Sequence, residues 1–491
     1  MNNDEGLRAV RKVIDSGPFD DTWESLANYR PPLWYQDAKF GIFIHWGVFS
    51  VPEFGSEWYS REMYRAGTRE YEHHLSTYGP QKVFGYKDFI PQFTMGDFDP
   101  RAWAALFRTA GAQFVVPVAE HHDGFAMYDS DRTRWKASEM GPGRDVFGQL
   151  AEAVTDAWMV IGASSHRAEH WFFMNGGARF DSDVLDPDFA DFYGPAQREE
   201  TAPTEQFIED WLLRAVEIID KYRPQLLWFD WWLEQPAFEP HVRMLAAYYY
   251  NRAQQWGRGV VINYKYGAFR QGTAVYDIER GAMAGIRPEV WQNDTSLSRN
   301  SWSYVRDNDY KTAADLIAEL ADVVAKNGVL LLNVGPKSDG TIADEEQALL
   351  REIGSWLSIC GEAIYGSRPW LIPAEGPTQA VSGSFVDLPT YTAADIRFTT
   401  RTDVTGDYVY AILLRRPDDG VARIRSFGTG SGLLTRDIQE VSEFGSSVPT
   451  EWERDADEMR VVLSADVGVG AVIKVFLKAE RPEPRQEFLH Q

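Results

Sequence analysis

Apolar residues run unbroken from Leu226 to Phe229 and then meet an acid, in Gln225-Leu226-Leu227-Trp228-Phe229-Asp230-Trp231-Trp232. A short continuous apolar run reads as a strand buried on both faces, as in a parallel sheet. Together with 226–230, strand-like runs occur at 39–46, 113–119, 159–164, 260–264, 274–278, 289–292 and 329–334. Helix-spaced patterns lie between several of them, at 100–109, 145–156, 204–222, 239–255 and 311–326. Asp99-Pro100 reads as an N-cap followed by proline at the first helical position. Strands six and seven are weakly marked, and a helix between them is not evident. Strands alternating with helices predict an α/β fold with a parallel sheet, and eight strands favour closure into a (β/α)₈-like barrel.

The pattern changes near Trp370. Pro369, Pro373, Gly376 and Pro377 suggest a linker. Short alternating runs follow at 396–400, 408–414, 421–426, 459–463 and 471–477, separated by turn residues. This predicts a C-terminal antiparallel β-sandwich. The expected organisation is a catalytic barrel over 1–370, a sandwich over 371–480 and a frayed charged tail over 481–491. A polar insertion at 169–203, rich in Gly, Asp and Pro, is expected to be a loop over the barrel mouth.

Charge and composition narrow the function. With 49 basic and 73 acidic residues the net charge is −24, which disfavours nucleic acid and anionic membranes as partners. No apolar stretch is long enough for a transmembrane helix. Met1-Asn2-Asn3-Asp4-Glu5-Gly6 lacks the basic and apolar parts of a signal peptide, so the expected location is cytoplasmic, or secreted after loss of a signal. The single cysteine, Cys360, excludes an intramolecular disulfide and a Cys-rich zinc site. The 18 Trp and 22 Tyr are more informative, because those near strand ends suit stacking on the C–H faces of sugars.

Polar groups follow the apolar strands. His45-Trp46-Gly47 ends the first and Ser56-Glu57-Trp58-Tyr59 comes soon after. Glu120-His121-His122-Asp123-Gly124-Phe125 ends the second, and Asp230 the fourth. In a parallel barrel such groups converge at one mouth. Singly, each has a plainer reading: a strand-end histidine can be a structural hydrogen-bonder, and an aspartate can cap the next helix. A metal is not expected. Adjacent His121 and His122 point to opposite sides of a continuing strand, and neither His-x-His nor His-Glu-x-x-His occurs. Glycoside hydrolysis needs two carboxyl groups. Asp230 is the first candidate; Glu279, in Tyr276-Asp277-Ile278-Glu279-Arg280-Gly281, is the second, with Glu289 as its rival at the start of strand seven.

These residues resemble the α-L-fucosidases of glycoside hydrolase family 29. The likeness lies in Lys39-Phe40-Gly41-Ile42-Phe43-Ile44-His45-Trp46-Gly47, Gly55-Ser56-Glu57-Trp58-Tyr59, His121-His122-Asp123-Gly124-Phe125, Leu227-Trp228-Phe229-Asp230, Leu332-Asn333-Val334-Gly335-Pro336 and Gly361-Glu362-Ala363-Ile364-Tyr365-Gly366. It spans roughly residues 20 to 370. The resemblance implies a barrel followed by a β-sandwich, and a retaining exo-α-L-fucosidase acting by double displacement. It implies Asp230 as nucleophile, and His45, Glu57, Trp58, His121 and His122 as the fucose-binding set. No cofactor is expected, and the implied partner is a fucosylated oligosaccharide or glycoconjugate. The chain departs from the family in three places. Gly162-Ala163-Ser164-Ser165-His166 stands where a Tyr pair is frequent. In Asn263-Tyr264-Lys265-Tyr266, Lys265 replaces the expected Arg. Glu120 stands where a Lys is common. Lys265 lacks the fork of Arg. The other readings are an inactive fucose-binding barrel, or a hydrolase of a related sugar such as an α-L-galactoside.

Overall fold

The structure is a computed structural model and describes residues 3–194, 196, 201–386 and 389–478. Eight parallel strands close into a barrel: β1 Phe40–Ile44, β2 Phe114–Glu120, β3 Val160–Ser165, β4 Leu226–Phe229, β5 Val261–Tyr264, β6 Val275–Glu279, β7 Trp291–Ser296 and β8 Gly328–Val334. Closure is made by β1, in which Ile42 stands opposite Val115 of β2 and Leu332 of β8.

Helices α1 Pro100–Thr109, α2 Val146–Asp156, α3 Glu205–Tyr222 and α4 Glu239–Trp256 follow the first four strands, and α5 Ala313–Ala325 and α6 Asp344–Cys360 follow β7 and β8. Asp99 caps α1 by accepting from the N–H groups of Arg101 and Ala102, with Pro100 behind it as the sequence predicts. Thr312 and Asp315 form a reciprocal capping box on α5. Neither the β5–β6 nor the β6–β7 connection contains a helix. The barrel is therefore helix-covered over part of its circumference only.

Strand side chains alternate between two cores. Phe40, Ile42, Leu227 and Phe229 face outward and share a core with the helices. Phe43, Val116, Trp228, Val261 and Leu331 point inward and fill the barrel.

Two expectations change. Of the residues read as a linker, Pro369 and Pro373 lie in strand β9, Arg368–Glu375, at the edge of a sheet, and Gly376 and Pro377 follow it. The insertion read as a loop is, in its described part, a chain of short helical turns from Arg167 to Tyr193. The turns lie against the barrel, with Tyr64 and Tyr193 both donating to buried Asp183.

Beyond β9, the sheet order is β13 Ile438–Glu443, β16 Ala471–Lys478, β11 Gly406–Leu413, β10 Ile396–Thr402 and β9, all antiparallel. A second sheet joins β12 Val421–Ile424, β15 Met459–Val462 and β14 Trp452–Arg454. Trp370, Phe398, Val409 and Ile473 of one sheet share a core with Ile424, Met459 and Val461 of the other, which makes a β-sandwich. The expected tail, 481–491, lies outside the described residues.

Candidate active site

The alternation inside the barrel decides what faces its mouth. Below the mouth the inward positions are Phe43, Ser164, Trp228, Asn263, Asp277, Gln292 and Leu331. They are held by apolar packing or by bonds such as Trp228 Nε1 to Asp277 (3.2 Å) and Gln292 Nε2 to Asp277 (2.7 Å). Two residues further along each strand stand His45, His166, Asp230, Lys265, Glu279, Asp294 and Asn333. A period of two keeps them on the inner side. In β2 the register shifts between Val118 and Glu120. Glu120 is paired with Arg167 and Arg214, the latter on α3, and has no place in the pocket. His121 and His122, next along, reach the mouth instead.

All eight residues singled out from the sequence line one cavity of about 430 Å³: His45, Glu57, Trp58, His121, His122, Asp230, Lys265 and Glu279. The same cavity includes Trp228 and Trp231, whose place at a strand end suits sugar stacking, and His166, Tyr266, Asp294, Trp302 and Phe385, which were not singled out from the sequence. The two-residue phase would have found His166 and Asp294. Phe385 comes from the segment between β9 and β10, and no motif marks it. Glu289 is exposed ahead of β7 and accepts a bond from Gln271, away from the cavity.

Asp230 is the electrostatic focus. His122 Nε2 and His166 Nδ1 lie 3.2 and 3.1 Å from its Oδ2, and Lys265 Nζ lies 3.7 Å from its Oδ1. Burial raises its pKa, but the Lys265 charge and the two histidine hydrogen bonds outweigh this and hold the carboxyl well below the usual carboxylate range. It is ionised across the neutral range.

Lys265 is shared. Its ammonium contacts Glu279 and lies 3.4 Å from Asp294 and 4.9 Å from the centre of the Trp228 ring. Burial would lower its pKa, but Asp294, Glu279, Asp230 and Asp277 together keep it well above the ordinary lysine value. Asp294, buried and beside Asp277, is raised well above the ordinary value.

The four histidines differ in charge. Burial lowers His122, but Glu169 and Asp230 reverse this and bring it to about 9, so it is an imidazolium that donates through Nε2 to Asp230 and through Nδ1 to the His166 carbonyl, 2.8 Å away. His166 is pushed down to about 4, chiefly by burial. His45 and His121 are lowered well below the ordinary value, again chiefly by burial. His45 Nδ1 lies 2.7 Å from Asn333 Oδ1 and donates to it, which leaves Nε2 as an acceptor. Glu57 accepts from the Trp302 backbone N–H (3.0 Å).

Two groups of side chains bring metal-ligating atoms within 4.8 Å of one another: His45, His121 and His166, and His122, His166 and Asp230. The first is a set of neutral imidazoles with the donor chemistry of a zinc site. The second includes the imidazolium of His122, which has no lone pair to offer.

A barrel pocket with one ionised aspartate, a second carboxylate on the same ammonium, neutral histidine acceptors and indole faces suits a sugar ring. The protein-family model described as Alpha-L-fucosidase matches residues 7–362. The chain belongs to the α-L-fucosidase family. It is similar to human tissue α-L-fucosidase, 30% identical over 458 residues, which are 92% of this chain and 88% of that protein. With rat tissue α-L-fucosidase it shares 32% identity over 417 residues, 83% of this chain and 81% of the relative. Among solved structures, that of the Thermotoga maritima α-fucosidase in complex with fucose superposes with a TM-score of 0.73 at 26% identity, covering 93% of this chain and all (100%) of the other. Like the family, the chain is a glycoside hydrolase of the α-L-fucosidase type, with the barrel and sandwich of those structures. No helix among the described residues is long and apolar enough to cross a membrane.

Proposed function

We propose that this pocket hydrolyses terminal α-L-fucosides of oligosaccharides or glycoconjugates with retention of configuration, with Asp230 as nucleophile and Glu279 as acid/base. The carrying observation is that Asp230 and Glu279 share the Lys265 ammonium. Contact with one nitrogen keeps their nearest oxygens closer than the ~6.5–9.5 Å that an inverting pair needs to admit water, and favours the ~5–5.5 Å of a retaining pair.

An Asp230 oxygen attacks the anomeric carbon. The bond to the leaving oxygen breaks, and its electron pair takes the proton of Glu279. Asp230 loses its charge as the glycosyl bond forms, so Lys265 turns to the negative charge arriving on Glu279. Glu279 then takes a proton from water, the water oxygen attacks the anomeric carbon, and Asp230 leaves as a carboxylate. His45, His121 and Glu57 bind sugar hydroxyls, His122 holds the Asp230 carboxylate in place beside them, and Trp58 offers its face. Alanine at His45 or His121 is expected to weaken fucose binding by up to about tenfold, given ~0.5–1.5 kcal/mol per neutral hydrogen bond, and alanine at Glu57 by about tenfold or more where its carboxylate accepts from the sugar, at ~1.5–3 kcal/mol.

Hydrolysis of an aryl α-L-fucoside, followed by NMR of the first-formed sugar, tests the reading. β-Fucose appearing first would overturn retention. Asp230→Gly should abolish turnover, with azide restoring part of it on an activated substrate. Glu279→Ala should cripple fucosides with poor leaving groups far more than aryl fucosides, because only the former need protonation. Equal loss on both would move the role away from Glu279.

A further inference from the structure

The rim of the cavity is built differently from its floor. Trp228 and Trp302 are buried in the floor, whereas at the rim Tyr266 is 50% and Phe385 63% exposed, with half-buried Trp231 beside them. Large rings left in water around a pocket mark a binding surface. The backbone supports this. Tyr266 and Phe385 both have φ of 53°, in the left-handed region that bulky residues avoid. Among the described residues, neither ring is packed in a core that would hold it there. Strain of this kind gathers where a fold must present a side chain to a ligand.

Phe385 belongs to the sandwich side of the chain. It is pinned to the barrel by its own N–H, which donates to the Glu279 carbonyl (2.9 Å), and by a pair of backbone bonds between Gly383 and Ala282 (both 3.1 Å). Its side chain lines the same cavity as Glu279, the residue proposed as the proton donor.

That position fixes what it touches. A general acid must reach the glycosidic oxygen, so the leaving group lies beside it and outward from the fucosyl ring. We infer that Trp231, Tyr266 and Phe385 form a leaving-group subsite that takes the flat C–H face of a hexopyranose bearing the fucose, with Phe385 the specificity-determining residue lent by the sandwich. The inference rests on the fucosidase reading of the pocket. Aromatic faces suit a neutral sugar ring, whose axial C–H bonds make one apolar side, and the net charge of −24 disfavours an anionic leaving group.

The test compares three substrates in wild type, Phe385→Ala, Tyr266→Ala and Phe385→Tyr. They are a fucosyl-hexose disaccharide, an aryl α-L-fucoside and α-L-fucosyl fluoride, whose leaving group has no ring. In Phe385→Ala, kcat/KM is expected to fall roughly tenfold on the disaccharide and on the aryl fucoside, the value of one well-placed aromatic contact. It should stay within about twofold on the fluoride, as should inhibition by free L-fucose. Phe385→Tyr keeps the ring and should keep the activity. A loss on the aryl fucoside alone would reassign the rim to aromatic leaving groups and overturn the sugar assignment. Equal losses on all three, or no loss on the disaccharide, would overturn the subsite while leaving the fucosidase intact. A wild type inert on all three would overturn the fucosidase reading. Calorimetric binding of the disaccharide to wild type and Phe385→Ala would then still decide the subsite, equal affinities sinking it.

Discussion

Glu169 is fully buried, and among the described residues neither of its carboxylate oxygens has a hydrogen-bond partner. Its Oε2 lies 3.7 Å from His122 Nδ1, on the opposite side of that ring from Asp230. Burial pushes the Glu169 carboxyl up to about 8, with His122 opposing. Once ionised, Glu169 helps hold the His122 proton up to about 9. Activity should therefore fall as pH rises through about 9, where His122 stops donating to Asp230. Glu169→Gln removes a negative charge from beside that ring, so the alkaline limb of the pH–rate profile should move to lower pH by about one unit or more. An unmoved limb would detach it from His122. A second readout follows from linkage. Between its ordinary value of 4.5 and about 8, the folded chain holds a Glu169 proton that the unfolded chain has lost. This contribution to stability is full below pH 4.5 and fades as pH climbs to about 8. Urea midpoints should drift down over that window in wild type and drift less in Glu169→Gln.

At the level of elements, hydropathy found what is apolar on both faces. The runs of β1, β2, β4 and β8 are legible because barrel filling and helix packing both demand apolar side chains. β7 reads Trp291-Gln292-Asn293-Asp294-Thr295-Ser296 and is nearly silent, because each of its inward polar side chains has a specific partner inside the fold. Gln292 bonds Asp277, Asn293 bonds Glu319, and Asp294 faces Lys265. Periodicity cannot see a strand stabilised by specific partners. The edge strand β13 is hidden for the related reason that half of it faces water. Site residues on strand ends could be read from the chain, and His166 would have followed from the inward phase of Ser164. Phe385 could not, because its place depends on how the β9–β10 segment crosses back to β6. Close contact between elements is also invisible in a helical pattern. Gly354 in α6 lies so near α1 that a Cβ there would stand 2.0 Å from the Thr109 carbonyl oxygen. Alanine favours helix by ~1 kcal/mol over glycine, yet Gly354→Ala should lower stability by ~1–3 kcal/mol, the usual cost of overpacking. A thermal midpoint that holds or rises would show that the two helices can part.

At the scale of the whole molecule, the sandwich is tied to the barrel through buried charge. Arg397 of β10 donates through Nε to Asp322 of α5 (2.6 Å), and Lys326, just past the end of α5, donates to the other oxygen of the same carboxylate (2.6 Å). Arg397 is 1% exposed, and the other two are nearly as enclosed. At a half-exposed junction, Tyr410 and Lys474 of the sandwich both donate to Oε1 of Glu362 at the end of the barrel, at 2.8 and 2.7 Å. Two cations on one buried carboxylate make that carboxylate the weak point. Removing it leaves both unpaired in a site where water cannot replace it. Asp322→Ala should therefore cost ~3–5 kcal/mol, the range for breaking a buried pair from one side, whereas Glu362→Ala, at a half-exposed junction, should cost ~1 kcal/mol or less. If the junction joins the two units into one folding body, denaturant unfolding of wild type is a single transition followed alike by tryptophan fluorescence and far-UV circular dichroism. Asp322→Ala should then either shift that whole transition or split it, the sandwich melting first. Because Phe385 reaches the pocket from the sandwich, a split transition should carry with it the loss of activity on ring-bearing leaving groups before activity on fucosyl fluoride is lost. Simultaneous loss of both activities across a split transition would show that the barrel mouth does not depend on the sandwich in this way.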